Sequence, residues 1–266
     1  MTTESPDPQP SRGNPPPSAG GGGTHALFTG VDELCERAAR EACTDGAALA
    51  IVTRHAHTRE LVYATDSIAV QLDELQFTLG EGPCLDAYLY DEPQFHPNLD
   101  RVAHTSRWPT FATEATALGV HSLFAFPVPG ARRPSGPSGV LELYRRTAGN
   151  NLTAQQHAAA QASAATIGHR LQTNWEDHLS RFESTTEAIN EAAAAGAALD
   201  ETADPFNRTQ IHIAAGMVAI QLQVHPNEGL DRLRAYSFAH QRRISSVAAD
   251  VVARRLTLHD QPNPPQ

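Results

Sequence analysis

Residues 122–144 read SLFAFPVPGARRPSGPSGVLELY. Two apolar or alternating runs of strand length, Ser122–Val128 and Gly139–Tyr144, flank a Pro/Gly/Ser loop over Pro129–Ser138. Such a pattern predicts an antiparallel strand pair. Working toward the N-terminus, Trp108-Pro109 opens a helix that runs to about Leu118 and is closed by Gly119. Before it, Leu79-Gly80-Glu81-Gly82-Pro83-Cys84 carries two glycines and a proline, which force a tight turn. Pro83 suits the first position of a new helix. A short helix over Ser67–Leu75 precedes that turn. Ala47–Thr53 and Leu61–Ala64 read as a hairpin around a polar turn at His55–Arg59. Leu27, Val31, Leu34, Ala38 and Ala42 recur at spacings of three and four, the mark of an amphipathic helix. With a long helix starting at Thr153, this order describes an α+β domain built on an antiparallel sheet flanked by helices.

Outside this region the composition changes. Residues 1–26 are Pro, Gly and Ser with almost nothing to bury, and 260–266 are similar, so both are expected to be disordered. Residues 173–203, rich in Ala and Thr, meet no helix breaker until Gly196. Trp175, Leu179, Phe182, Thr186, Ile189 and Ala193 fall at heptad steps, which predicts a helical linker forming a parallel coiled coil. The alternative is that this face packs on the protein's own N-terminal domain. Asp204-Pro205 then marks a boundary before a C-terminal region, 204–259.

Three helical patterns follow there. The first, about Asn207 to Val224, puts Ile211, Ala214 or Ala215, Val218 and Leu222 on one face, and Gly216 and Ala219 leave room for a neighbouring helix. The second starts at Pro226 and buries Leu230, Leu233 and Ser237. The third begins after Ser245 or Ser246, either able to cap it, and buries Val247, Val251, Val252 and Leu256. Three short helices make a minimal bundle.

Charge locates a partner. The chain carries a formal net charge of −10 with a pI of about 5.7, and all 20 of its basic residues are Arg. Between Phe206 and His259, however, seven Arg face three acids. A nucleic-acid role therefore belongs to this end. Arg232, Tyr236 and His240 stand at i, i+4 and i+8 of the second helix, and Arg208, Arg234, Arg242 and Arg243 can frame them. Unpaired RNA bases stack on aromatic faces, and the adjacent phosphates pair with Arg. The residues alone leave open a plain alternative, in which Tyr236 and Phe238 cover the edge of the bundle and the arginines are a solvated face.

Two resemblances bear on this. Over residues 27–172 the order of elements, LGEGPCLDA, RWPTFA and the SLFAFPV…GVLELY pair resemble a GAF domain, more narrowly the version found in actinobacterial two-domain regulators. The resemblance implies an input pocket for a small molecule, or a dimerising scaffold. Residues 211–256, IHIAAGMVAIQLQVHPNEGLDRLRAYSFAHQRRISSVAADVVARRL, resemble an ANTAR domain without gaps. The matching features are Ala214-Ala215-Gly216-Met217, Leu233-Arg234-Ala235-Tyr236 and Val247-Ala248-x-Asp250-Val251-Val252. That resemblance implies a dimeric antiterminator holding paired RNA hairpins in nascent transcripts. The chain departs from the pattern at Ala215, His225 and Gly229, where many such domains carry Lys, Ser or Thr, and Ala. The glycine is expected to weaken the second helix by up to about 1 kcal/mol.

Enzymatic and metal chemistry find little footing. Cys35, Cys43 and Cys84 are few and odd in number, which suits a reducing cytoplasm rather than a disulfide scaffold. Cys84, just after the turn, invites comparison with GAF-type methionine sulfoxide reductases, but Cys35 and Cys43 suggest no resolving pair, and plain packing is the expectation. The His55-x-His57 pair and the scattered His96, His104 and His121 show neither HxxxH nor CxxC spacing. No catalytic residue, metal site or cofactor is expected. No apolar run approaches membrane-spanning length, and the acids and prolines of the first residues stand where a signal peptide would need charge and then an apolar run, so none is expected. The expectation is a cytoplasmic, non-enzymatic, RNA-binding antitermination regulator. The runner-up is a small-molecule-binding signalling module whose helical C-terminus contacts a protein partner.

Overall fold

The computed structural model describes residues 26–52, 59–101, 107–130, 136–191 and 208–258. Its centre is a five-stranded antiparallel sheet of β1 (Gly46–Val52), β2 (Arg59–Ala64), β3 (Gln94–His96), β4 (Ser122–Pro129) and β5 (Pro137–Arg145), in the order β2-β1-β5-β4-β3. The expected β4–β5 pair forms, with Phe124 opposite Leu143 and Phe126 opposite Leu141. Strand β3 was not foreseen. Its three residues are too few to show a period of two.

Helices cover both faces, which is why β1 and β4 are nearly continuous apolar runs. Strand side chains alternate between faces. Leu49, Phe124, Phe126, Leu141 and Leu143 meet α1 (Val31–Glu41) and the long helix α5 (Ala154–Leu179). On the opposite face Ala48, Leu123 and Tyr144 meet α2 (Ser67–Leu79) and α4 (Pro109–Ala117), while Ala125 and Val140 meet α3 (Pro83–Tyr90). Glu142, between Leu141 and Leu143, falls on this second face.

Local chemistry places the helix ends. Pro83 is the first residue of α3, after Gly82 at φ 133°; a side chain at Gly82 would also collide with Gln76. Thr153 and Gln156 form a reciprocal capping box at the start of α5, with bonds of 3.2 and 2.9 Å.

The linker differs from expectation. Helix α5 runs unbroken from Ala154 but ends at Leu179, the chain turns over 180–184, and helix resumes over 185–191. The heptad seam is thus interrupted by its own rings. His178 is buried between Trp175 and Phe182, at centroid distances of 5.6 and 4.9 Å, and its Nε2 donates to the Ala188 carbonyl at 2.9 Å. Ala193, the termini at 1–25 and 259–266, His55, His57, His104 and the Asp204-Pro205 boundary lie outside the described residues.

The C-terminal helices are α6 (Arg208–Leu222), α7 (Pro226–Ala239) and α8 (Ile244–Val252). Ile211, Ala214, Ala215, Val218, Leu230, Leu233, Val247 and Val251 form their shared core, with Leu222, Val252 and Leu256 partly buried around it. Two details correct the sequence reading. Helix α8 starts at Ile244, before both serines expected to cap it, and no side chain caps it. The close approach of helices lies at Gly229 rather than Gly216: a Cβ on Gly229 would sit 2.3 Å from the Ala215 carbonyl oxygen, whereas Gly216 faces open space. His225 takes the capping role expected of Ser or Thr, its Nδ1 accepting from the Asn227 amide at 3.3 Å.

Candidate nucleic-acid interface and the buried contact beneath it

The seven arginine, tyrosine and histidine candidates separate into two groups. On the outer side of α7, Arg232 and His240 are exposed and Tyr236 is half-buried, as the i, i+4, i+8 spacing demands. The Tyr236 ring is stacked on the His240 imidazole, with centroids 3.9 Å apart and planes 18° apart, and His240 Nδ1 donates to the Tyr236 carbonyl. The aromatic surface is therefore a two-ring unit with one Tyr face already covered. Arg232 pairs with Glu228 at 3.0 Å. Arg242 and Arg255 converge on Asp250, whose carboxyl is held below its ordinary range by the hydrogen bonds from Arg242 and then Arg255. Arg243, at the head of α8, is exposed.

Arg208 and Arg234 do not frame this surface. Both point into the N-terminal domain. Arg208, 5% exposed, pairs with the fully buried Asp73 of α2 and donates to the Arg59 carbonyl. Its guanidinium lies 4.2 Å over the Phe77 ring. Arg234 donates to the Phe77 carbonyl at 2.9 Å, sits 5.4 Å over the same ring, and pairs with Asp231. Phe77 belongs to α2 yet packs into the core of the C-terminal bundle. His212 meets its edge at 6.2 Å, and burial, then Arg208 and Arg234, lowers the His212 imidazole below its usual value.

Behind Asp73 lies a buried polar cluster that sequence reading did not anticipate beyond Cys84. Arg59 also pairs with Asp73. Burial alone would lower the Arg59 guanidinium, but Asp73 and, more weakly, Cys84 and Glu142 outweigh it and hold it up. Gln76 accepts the Cys84 amide at 2.9 Å and donates to Glu142. The Cys84 thiol donates to the same Glu142 oxygen. Burial pushes the Glu142 carboxyl up despite Arg59, Cys84 and Gln76, and its Oε1 has no hydrogen-bond partner among the described residues. Burial, then Glu142, pushes the Cys84 thiol well above its usual value. The thiolate that a nucleophile needs is suppressed there. One signal could have pointed to this site: a lone Glu in the middle of an apolar strand, which is rarely buried without partners.

Removing one partner of such a buried pair costs on the order of 3–5 kcal/mol, because it leaves a charge uncompensated. Asp73, shared by two arginines, ties Arg208 of the bundle to Arg59 of the N-terminal domain. Among the described residues no His/Cys/Asp/Glu group could hold a metal ion, and no helix is long and apolar enough to cross a membrane.

No family model matches the chain, and no curated protein matches it. Solved structures similar to it include the GAF domain region of a putative membrane protein from Geobacter sulfurreducens, at 16% identity and a TM-score of 0.45, covering 55% of this chain and 93% of that one. A domain of a putative two-component sensor histidine kinase from Sinorhizobium meliloti is similar at 15% identity and a TM-score of 0.44, over 56% of this chain and 92% of that one. A type II free methionine-R-sulfoxide reductase from Thermoplasma acidophilum is similar at 12% identity and a TM-score of 0.37, over 55% of this chain and 93% of that one.

Proposed function

We propose that the chain is a non-enzymatic, dimeric, cytoplasmic transcription antitermination regulator, in which a GAF-like input domain controls an ANTAR-like bundle that binds RNA hairpins. The observation that carries this reading is the outer side of α7 and α8. There α7 carries the stacked Tyr236–His240 rings and the exposed Arg232, and the residues flanking α8 carry Arg242, Arg243 and Arg255, so aromatic faces and guanidinium groups stand on two packed helices. Bases stack on the first and phosphates pair with the second. The ungapped resemblance over residues 211–256 supports the antiterminator class. On the input side, the LGEGPCLDA turn, the RWPTFA helix start and the sheet between two helical layers support the GAF-like reading, with a small molecule or a second copy as its input.

The test is binding of the full chain to a two-hairpin RNA across a range of salt. Neutralising several phosphates makes the logarithm of affinity fall steeply with the logarithm of salt. Absence of binding at low salt by a folded dimer, its state fixed by sedimentation, overturns the reading.

A second reading has its own observation. Ile213, Ile220 and Phe238 are 49%, 81% and 56% exposed on the bundle, and large exposed apolar groups favour a protein partner. In that case the C-terminus of a small-molecule-binding signalling module docks a protein, and binding is insensitive to salt.

A further inference from the structure

Asp73 and Phe77 lie one turn apart on α2, and together they hold both arginines that the bundle turns inward. Asp73 takes Arg208, while the Phe77 ring and carbonyl take Arg208 and Arg234. We propose that the Asp73–Arg208 pair is an autoinhibitory latch, which docks the start of α6 on the N-terminal domain and keeps Arg208 and Arg234 from a polyanion. The proposal rests on the RNA-binding reading of the bundle.

Three features fit a contact made to be released. First, Asp73 keeps a partner when Arg208 leaves, because Arg59 pairs with the same carboxylate from within the N-terminal domain. Opening therefore strands no buried charge on that side, and the freed Arg208 is hydrated. Second, the charges are complementary. Residues 206–259 carry an excess of Arg, and docking sets one of them, Arg208, on the Asp73 carboxylate, an anion that competes with phosphate for the same guanidinium group. Third, the latch is wired to the cluster at the sheet. The Arg59 guanidinium feels Glu142 and Cys84 as well as Asp73, so a change in that cluster reaches the latch through one side chain.

Hydrogen exchange and RNA titration on the full chain test this together. In Asp73→Asn, which cannot pair with Arg208 as an ion, amides of 208–222 should exchange at least about tenfold faster while β1 and β5 stay protected. A two-hairpin RNA should bind about tenfold tighter at the same salt. Loss of protection in β1 and β5 would disqualify that variant, and Arg208→Met, which leaves Asp73–Arg59 intact, then decides by exchange alone. Unchanged exchange over 208–222 in the deciding variant overturns the latch. So does a released bundle that binds RNA no tighter than a wild type with measurable affinity. A released bundle with no RNA binding in either protein instead overturns the RNA reading, and the latch with it.

Discussion

Gly229 of α7 approaches Ala215 of α6 so closely that a Cβ on it would lie 2.3 Å from the Ala215 carbonyl oxygen and 3.1 Å from the Ala219 nitrogen. Both obstacles are backbone and cannot swing aside. Two effects compete in Gly229→Ala: helix propensity favours the variant by about 1 kcal/mol, and overpacking costs about 1–3 kcal/mol. The clash should win, with a net loss on the order of 1 kcal/mol. Denaturant unfolding, with amide exchange across 208–252 to localise the effect, measures it. A more stable variant would mean that α6 and α7 separate freely.

For the outer surface, the ring of Tyr236 should matter and its hydroxyl should not. Tyr236→Ala is expected to weaken RNA binding by about 1–3 kcal/mol, the range for one stacked base. Tyr236→Phe should retain affinity, and His240→Ala, which uncovers one face of the ring, should lose less than Tyr236→Ala. Fluorescence anisotropy titrations of the three variants check the order; equal losses in all three would rule out stacking.

Asp250 occupies two guanidinium groups, those of Arg242 and Arg255. Asp250→Asn should free them and steepen the salt dependence of RNA binding by about 0.7–0.9 in logarithmic slope for each additional phosphate neutralised. An unchanged slope would place both arginines outside the interface.

Glu142 sets a pH dependence. Burial raises its carboxyl above the ordinary 4.5, so the native state keeps a proton that the unfolded chain gives up. This contribution to stability is complete below the unfolded value and is lost as pH rises through the raised native one. Glu142→Gln cannot ionise and should lose that decline. Urea midpoints of both proteins from about pH 4 to about pH 8 show it, and parallel curves would refute it.

What could be read in advance was local. The apolar run of Ser122–Val128, the spacing of Leu27 to Ala42, Pro83 after two glycines and the helix start at Thr153 each act within a few residues, and each formed its element nearly where expected. Strand β3 escaped because three residues carry no period. The expectation of an unbroken linker helix missed the turn over 180–184, where Trp175, His178 and Phe182 pack on one another, a use of the spacing that periodicity cannot tell from a seam.

By itself, then, the sequence determined the elements, the charge separation between the two ends and the Arg232, Tyr236, His240 alignment, because propensity, capping and helical period are short-range properties. The tertiary structure alone decided which arginines face outward. Arg208 and Arg232 are alike as residues, but Arg208 meets an aspartate 135 positions away. The same holds for the Glu142–Cys84 contact, 58 positions apart. Burial and ion pairing depend on which surfaces meet in space, and that is settled only when the sheet and both helical layers have closed around Asp73.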